Sequence, residues 1–137
     1  MAKPAQTRAS VSVGSTLTET RMLELAEKCA ASVDDPNCRV RVESRTPHAV
    51  TLSLRDHFEG DELMKFVLET NRAVGRTTAR TAITAFNVKD GGVSMLVPAA
   101  KRKIRGFSAY EAYMDWYVSA IVAEDRGAIV TLVSGKE

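Results

Sequence analysis

"DELMKFVLETNRAVGRTTARTAITAFNVK", Asp61 to Lys89, decides what kind of sheet this chain builds. Its first eleven residues fit two periods. As a helix, Leu63, Phe66 and Val67 share a face; as a strand, Met64, Phe66 and Leu68 do. Periodicity alone does not separate the two over so short an apolar run. The following residues favour the strand. "RAVGR" reads as a turn, and "TTARTAITAFNVK" is rich in Thr and Ile, whose branched Cβ suits a pleated surface better than a helix. Two strands joined by a turn are therefore expected. A helix over residues 61–74, giving a different two-layer α+β sandwich, is the alternative.

Toward the N-terminus the same logic continues. "CRVRVES" alternates, with Cys38, Val40 and Val42 on one side and Arg39, Arg41 and Glu43 on the other. "RTPH" turns the chain, and "AVTLSLRD" alternates again with Val50, Leu52 and Leu54 inward. A hairpin with one wet face is the pattern of antiparallel sheet. Before it, "TLTETRMLELAEKCAASV" places Met22, Leu25, Ala26, Cys29, Ala30 and Val33 at helical spacing. Thr16 and Glu19 have the spacing of a capping box, and Pro36 ends the helix. "ASVSVG" reads as a first strand with Val11 and Val13 on one face, and residues 1–8 as a loose polar tail.

Toward the C-terminus, "KDGG" is a hairpin signal, since Asp-Gly fits a type I′ turn, and "VSMLV" is the returning strand. Pro98 ends it. "SAYEAYMDWYVSAIVAED" is the longest helical pattern, with Gly106 supplying a bend and Ser108 and Glu111 a second capping box. From Ala109 to Glu124 this helix would run roughly 24 Å. "GAIVTLVSG" is a short final strand. The expected fold is α+β: one domain over residues 9–137, in which a curled antiparallel β-sheet packs around a long C-terminal α-helix, with one shorter N-terminal helix.

The totals narrow the function. A chain of 137 residues fits one domain and buries roughly two thirds of its unfolded surface, so it needs no staples. A net charge of +2 is too small to imply a polyanion partner. Cys29 and Cys38 both stand where an apolar residue is expected, which favours buried free thiols over a disulfide or a metal site. No apolar signal segment opens the chain and no window approaches a membrane span, so a cytoplasmic protein is expected.

The order of elements, together with "VPAAKRKIRGFSAYEAYMDWYVSAIVAED", resembles the START-like, helix-grip superfamily, which includes polyketide cyclase/dehydrase-like proteins. Pro98, Lys103, Gly106, Phe107 and Tyr110 carry the resemblance, which covers most of the chain from Ser10 onward. It implies a sheet gripping a helix around an apolar pocket for a lipid-like or polycyclic ligand. The chain departs from that pattern in having one longer helix after the first strand, where the family has two short ones, and fewer strands. No catalytic residue carries over, because the superfamily shares a shape more than a motif.

The residues expected to line such a pocket are Phe66, Phe86, Tyr110, Tyr113, Met114, Trp116 and Tyr117. Tyr110, Met114, Tyr117 and Ile121 form one helical face, and Tyr113, Trp116 and Ala120 its neighbour. Their hydroxyls and the indole would be the few polar points of an apolar site. Plain core packing would produce the same stripe, but a dry core must find partners for those hydroxyls.

Other candidates are weaker. Lys101, Arg102, Lys103 and Arg105 could contact phosphate, but no second dense basic segment accompanies them, so a solvated connector is preferred and nucleic acid is not an expected partner. Arg39, Arg41, Arg76 and Arg80 read as a solvated sheet face. "RDHFEGDE" lacks calcium-loop spacing, His57 is isolated, and His48 sits in a turn. There is no Gly-rich phosphate loop, G-x-S-x-G or H-E-x-x-H. No catalytic residue, cofactor or metal is assigned. The preferred function is a small non-catalytic binding domain with an apolar pocket for a lipid-like or polycyclic ligand, and the second, alternative function is a protein-interaction or self-assembly module without a small-molecule ligand. In the second, "AIVTLV" would pair with an exposed edge of another copy as a homodimer. A cavity of some hundreds of cubic ångströms would favour the first, a solid core the second.

Overall fold

The computed structural model describes residues 4–87 and 104–135. Residues 61–74 are strand. β4 (Glu62–Ala73) and β5 (Arg76–Phe86) form one long antiparallel hairpin, paired from Met64↔Phe86 to Ala73↔Arg76. Only Val74 and Gly75 lie between the paired ends, both at positive φ, 53° and 76°. That is the type I′ geometry whose twist matches the flanking strands.

β1 (Ser10–Ser15), α1 (Glu19–Ser32), β2 (Cys38–Thr46) and β3 (Ala49–Asp56) precede this hairpin, while α2 (Phe107–Glu124) and β6 (Ile129–Val133) follow it. Among the described residues the six strands make a single curled antiparallel sheet in the order β2-β3-β4-β5-β1-β6. β2 to β5 follow one another as a meander. β1 then inserts between β5 and β6, paired Ser12↔Arg80 on one side and Ser12↔Thr131 on the other. The sheet is apolar on one face only: Val50, Leu52, Leu54, Met64, Phe66 and Leu68 are all fully buried beneath the helices. α1 lies over β2, β3 and β4, and α2 packs beside α1 and against β1.

The helix starts differ from both expected capping boxes. Thr18, not Thr16, caps α1, its Oγ1 accepting from the Arg21 N–H at 3.1 Å. Thr16 is held elsewhere, its N–H donating to Asp125 Oδ2 at 3.1 Å. Glu19 is the first helical residue rather than the third, and its carboxylate accepts from Thr70 Oγ1 at 2.7 Å. At α2 the cap position is Gly106, with φ 78° and no side-chain cap. The left-handed backbone favours glycine there, and a Cβ would also press on Leu54 Cδ1 at 3.0 Å. Ser108 donates to Asp35 Oδ2 at 3.0 Å instead of capping its own helix.

Within the segment expected to be a tail, Ala5–Arg8 form a 3-10 turn. Ala5 is buried, and Gln6 Oε1 accepts from the Ile104 N–H at 2.6 Å, which fastens the turn to the chain entering α2. Cys29 and Cys38 are buried free thiols, both pushed up to about 11 by desolvation. The expected "KDGG" hairpin, the "VSMLV" strand, Pro98 and Lys101–Lys103 lie outside the described residues.

Val74 is a β-branched residue in a left-handed conformation, fully exposed, where no packing offsets the steric penalty. Val74→Asn is expected to stabilise the fold by about 1 kcal/mol and to raise Tm by about 4 °C. Thermal unfolding followed by circular dichroism checks this, and an unchanged or lower Tm would show that the turn is not under strain.

Candidate functional site

α2 carries three tyrosines on the faces turned to the sheet and to α1, and their rings fill the centre of the molecule. Phe66 of β4 sits between two of them, its ring centroid 4.9 Å from Tyr110 and 5.0 Å from Tyr113. Tyr113 and Tyr117 stack nearly parallel at 6.4 Å. Each hydroxyl donates to a backbone carbonyl: Tyr110 to Ala9 at 2.7 Å, Tyr113 to Ala26 at 2.8 Å and Tyr117 to Met22 at 3.1 Å. The Tyr110 oxygen also lies 2.9 Å from Thr81 Oγ1, and because its own proton goes to Ala9, Thr81 is the donor. Thr81 Oγ1 in turn accepts from the Val11 N–H at 3.0 Å.

Phe66, Tyr110, Tyr113 and Tyr117 therefore lie in the closed core, with Met114 beside them, all 4% exposed or less. Phe86 is part-buried at the far end of β5 and packs on the core. Trp116 is outside that set: it points to solvent from α2 and is 50% exposed. Burial pushes the phenols up, Tyr110 to about 12 and Tyr113 and Tyr117 further, since no charge nearby favours a phenolate. No buried side-chain polar atom among the described residues lacks a partner. The polar tips expected to greet a ligand thus hold the two helices and β1 together.

The described clefts lie elsewhere. A half-open cleft of about 420 Å³ at the start of α2 is lined by Asp35, Asp56, Phe58, Ile104, Arg105 and Phe107 among others. Its polar groups are engaged with one another. Asp56 Oδ1 accepts from the Phe58 and Glu59 N–H groups at 2.7 and 3.2 Å, and Arg105 lies 3.8 Å from Asp56 Oδ2. His57 Nε2 contacts the Asp35 carbonyl at 2.8 Å. A shallow depression runs along α2 over Val118, Ser119, Val122, Ala123 and Arg126. Neither cleft is lined by any of the seven residues expected to form a pocket. Among the described residues no cluster of His, Cys, Asp or Glu could hold a metal ion, and no helix is long and apolar enough to cross a membrane.

The two edges of the sheet are unlike. β2 carries Arg39, Arg41, Glu43 and Arg45, and its register shifts between Val42 and Ser44. Charges and a bulge are the usual protection of an edge strand against pairing. β6, at the opposite edge, has the sequence Ile-Val-Thr-Leu-Val, with no charge, no proline and every residue exposed. Ile129 is 62% and Leu132 63% exposed. Val130 and Leu132 pair with Val13 and Val11, so they project on the helix side of the sheet, next to buried neighbours but beyond the cover of α2.

α2 extends this apolar surface. Tyr113, Tyr117 and Glu124 bond to α1, and Tyr110 to the segment entering β1. At 100° per residue, Val118 and Val122 fall on the flank turned away from α1, toward the β6 edge. Asp125 fixes the turn between α2 and β6. Its Oδ2 accepts from Ser15 Oγ at 2.7 Å and its Oδ1 from the Gly127 N–H at 3.0 Å. The Ser15 hydroxyl and then the Thr16 N–H hold its carboxyl below the usual range. "AIVTLV" is legible in the sequence as an uncharged strand; that it lies at an edge, and that Val118 and Val122 flank it, is not.

Comparison with protein-family models, with curated proteins and with solved structures gives no significant match.

The tyrosine cluster has a pH signature. The unfolded phenols titrate near pH ~10, whereas the folded ones titrate higher. Between those values the unfolded chain binds fewer protons than the folded one, so stability is full below pH ~10 and falls as pH rises. Each tyrosine contributes about 1.4 kcal/mol per pH unit, so the three together give a slope on the order of 4 kcal/mol per unit. Urea titrations across this range check the slope, and Tyr117→Phe is expected to reduce it by about one third. Tyrosinate absorbance rising before the loss of helical circular dichroism would contradict this.

Proposed function

We propose that this chain is a protein-interaction module that works by strand addition at β6, without a small-molecule ligand. One observation carries the reading: among the described residues the sheet ends in a fully exposed, uncharged strand of five residues, while its other edge is charged and bulged. An exposed edge offers a row of unpaired backbone N–H and C=O groups, which give affinity to an added strand, and flanking side chains give selectivity. Here the flanking side chains are Val130 and Leu132 on the sheet and Val118 and Val122 on the helix.

The buried, fully bonded tyrosine cluster supports this reading over the apolar pocket. To open a pocket at Tyr110, Tyr113 and Tyr117, a ligand would have to replace three buried hydrogen bonds and the contacts around Phe66. Each buried hydroxyl left without an acceptor would cost about 1–3 kcal/mol. A partner strand at β6 leaves those three hydrogen bonds in place.

Benzoylphenylalanine in place of Thr131 tests the reading in cells that produce the chain. Irradiation is expected to give covalent adducts of discrete mass, and Leu132→Lys in the same chain to abolish them. The same probe in place of Arg41 on β2 is expected to give none. Absence of an adduct at position 131, or adducts indifferent to Leu132→Lys, would sink the proposal.

A further inference from the structure

The geometry points to a second copy of this chain as the partner of β6, in an antiparallel register centred on Thr131. This inference rests on the strand-addition reading above and names its partner. The strand is self-complementary. In a two-fold pairing about Thr131, Ile129 faces Val133, Val130 faces Leu132, and Thr131 faces its own copy. The outer pairs match apolar with apolar, and the central Thr–Thr pair is a favourable cross-strand match. The pairing has a natural end. At Gly135 the chain turns in against the body of the protein, where a Cβ would stand 2.9 Å from both Gln6 Cα and the Phe107 ring.

Charge and area point the same way. Residues 127–135 contain no Asp, Glu, Lys or Arg, so nothing in the strip selects an acidic or basic segment. An added strand of five residues alone buries far less than the roughly 800 Å² per partner that stable complexes bury. A second copy adds more than a strand. The two-fold axis stands perpendicular to the sheet, so both copies keep their helices on the same face. The Val118–Val122 flank of each α2 then faces the other across a floor of two Val130 and two Leu132 side chains. Isologous pairing of this kind closes the assembly at two chains, because each β6 edge is consumed by the other.

Sedimentation equilibrium on the purified full chain, with disulfide trapping, tests both the partner and the register. The chain is expected to sediment at twice its own mass. Leu132→Lys, an exposed site whose change leaves the circular dichroism intact, is expected to weaken association by on the order of tenfold or more. Thr131→Cys is expected to form a disulfide-linked dimer on mild oxidation, since Cys29 and Cys38 are buried and unreactive. Ile129→Cys alone is expected to stay unlinked, yet to link when mixed with Val133→Cys. A chain that is monomeric to millimolar concentration overturns the inference. So does linking of Ile129→Cys to itself, which marks a parallel or shifted register. A monomer whose position 131 still cross-links to a different protein overturns self-pairing while leaving strand addition at β6 in place.

Discussion

Three phenol hydroxyls on one helix hold this molecule together. Tyr113 and Tyr117 reach carbonyls inside α1, and Tyr110 reaches the carbonyl of Ala9 just before β1. Each carbonyl has a second lone pair to offer, so the bonds form without breaking helix or sheet. They tie α2 to two elements far away in sequence and fix both its height above the sheet and its rotation. Everything else about the exposed side of α2 follows from that rotation. With the tyrosines turned inward, Trp116 faces water and Val118 and Val122 face the free edge. Among the described residues every buried side-chain polar atom, the three hydroxyls included, already has a partner. A ring with its hydroxyl bonded at one end and stacked on another ring at its face is a structural strut.

Sheet edges then set the character of the surface. One edge strand has alternating arginines, a glutamate and a bulge, the usual protection of an edge against pairing. The other has no such device. The contrast matters more than either edge alone, because it is what supports the proposed strand addition at β6. A proline or a single lysine within Ile129–Val133 would have blunted β6 as well.

Most of the fold could be read from the chain. Val40 and Val42, Val50 and Leu54, and Met64 and Phe66 alternate over runs bounded by clear turns. Residues 61–74 resolved as strand because the Thr-rich run after "RAVGR" needed a partner. The helix starts were harder. Thr16-x-x-Glu19 and Ser108-x-x-Glu111 have the right spacing, yet tertiary demands won: Asp125 takes Thr16, Asp35 takes Ser108, and a left-handed Gly106 opens α2. Local spacing cannot register a competitor a hundred residues away. The expected site residues show the same limit. Polar-tipped aromatics on a helix are equally suited to a wet pocket and to a dry core. The placement of the Ala9, Ala26 and Met22 carbonyls, which supplies the partners a core reading needs, is revealed by no side-chain pattern. The unlike edges escaped for a related reason: alternation tells which face of a strand is wet, but not which strand comes last in the sheet.

β1 sits at a point in the sheet that shapes how the molecule is made. Its neighbours are β5 and β6, so both of its ladders join residues far apart in the chain. The meander from β2 to β5 can zip together as it leaves the ribosome, each strand beside the one before it. The first strand synthesised has to wait for the fourth of these before it has any neighbour. Until α2 arrives, Tyr110 cannot hold Ala9, and until β6 arrives one side of the uncharged β1 stays unpaired among the described strands. The last strand to form therefore covers the first. Assembly of this sheet finishes at the place where its synthesis began.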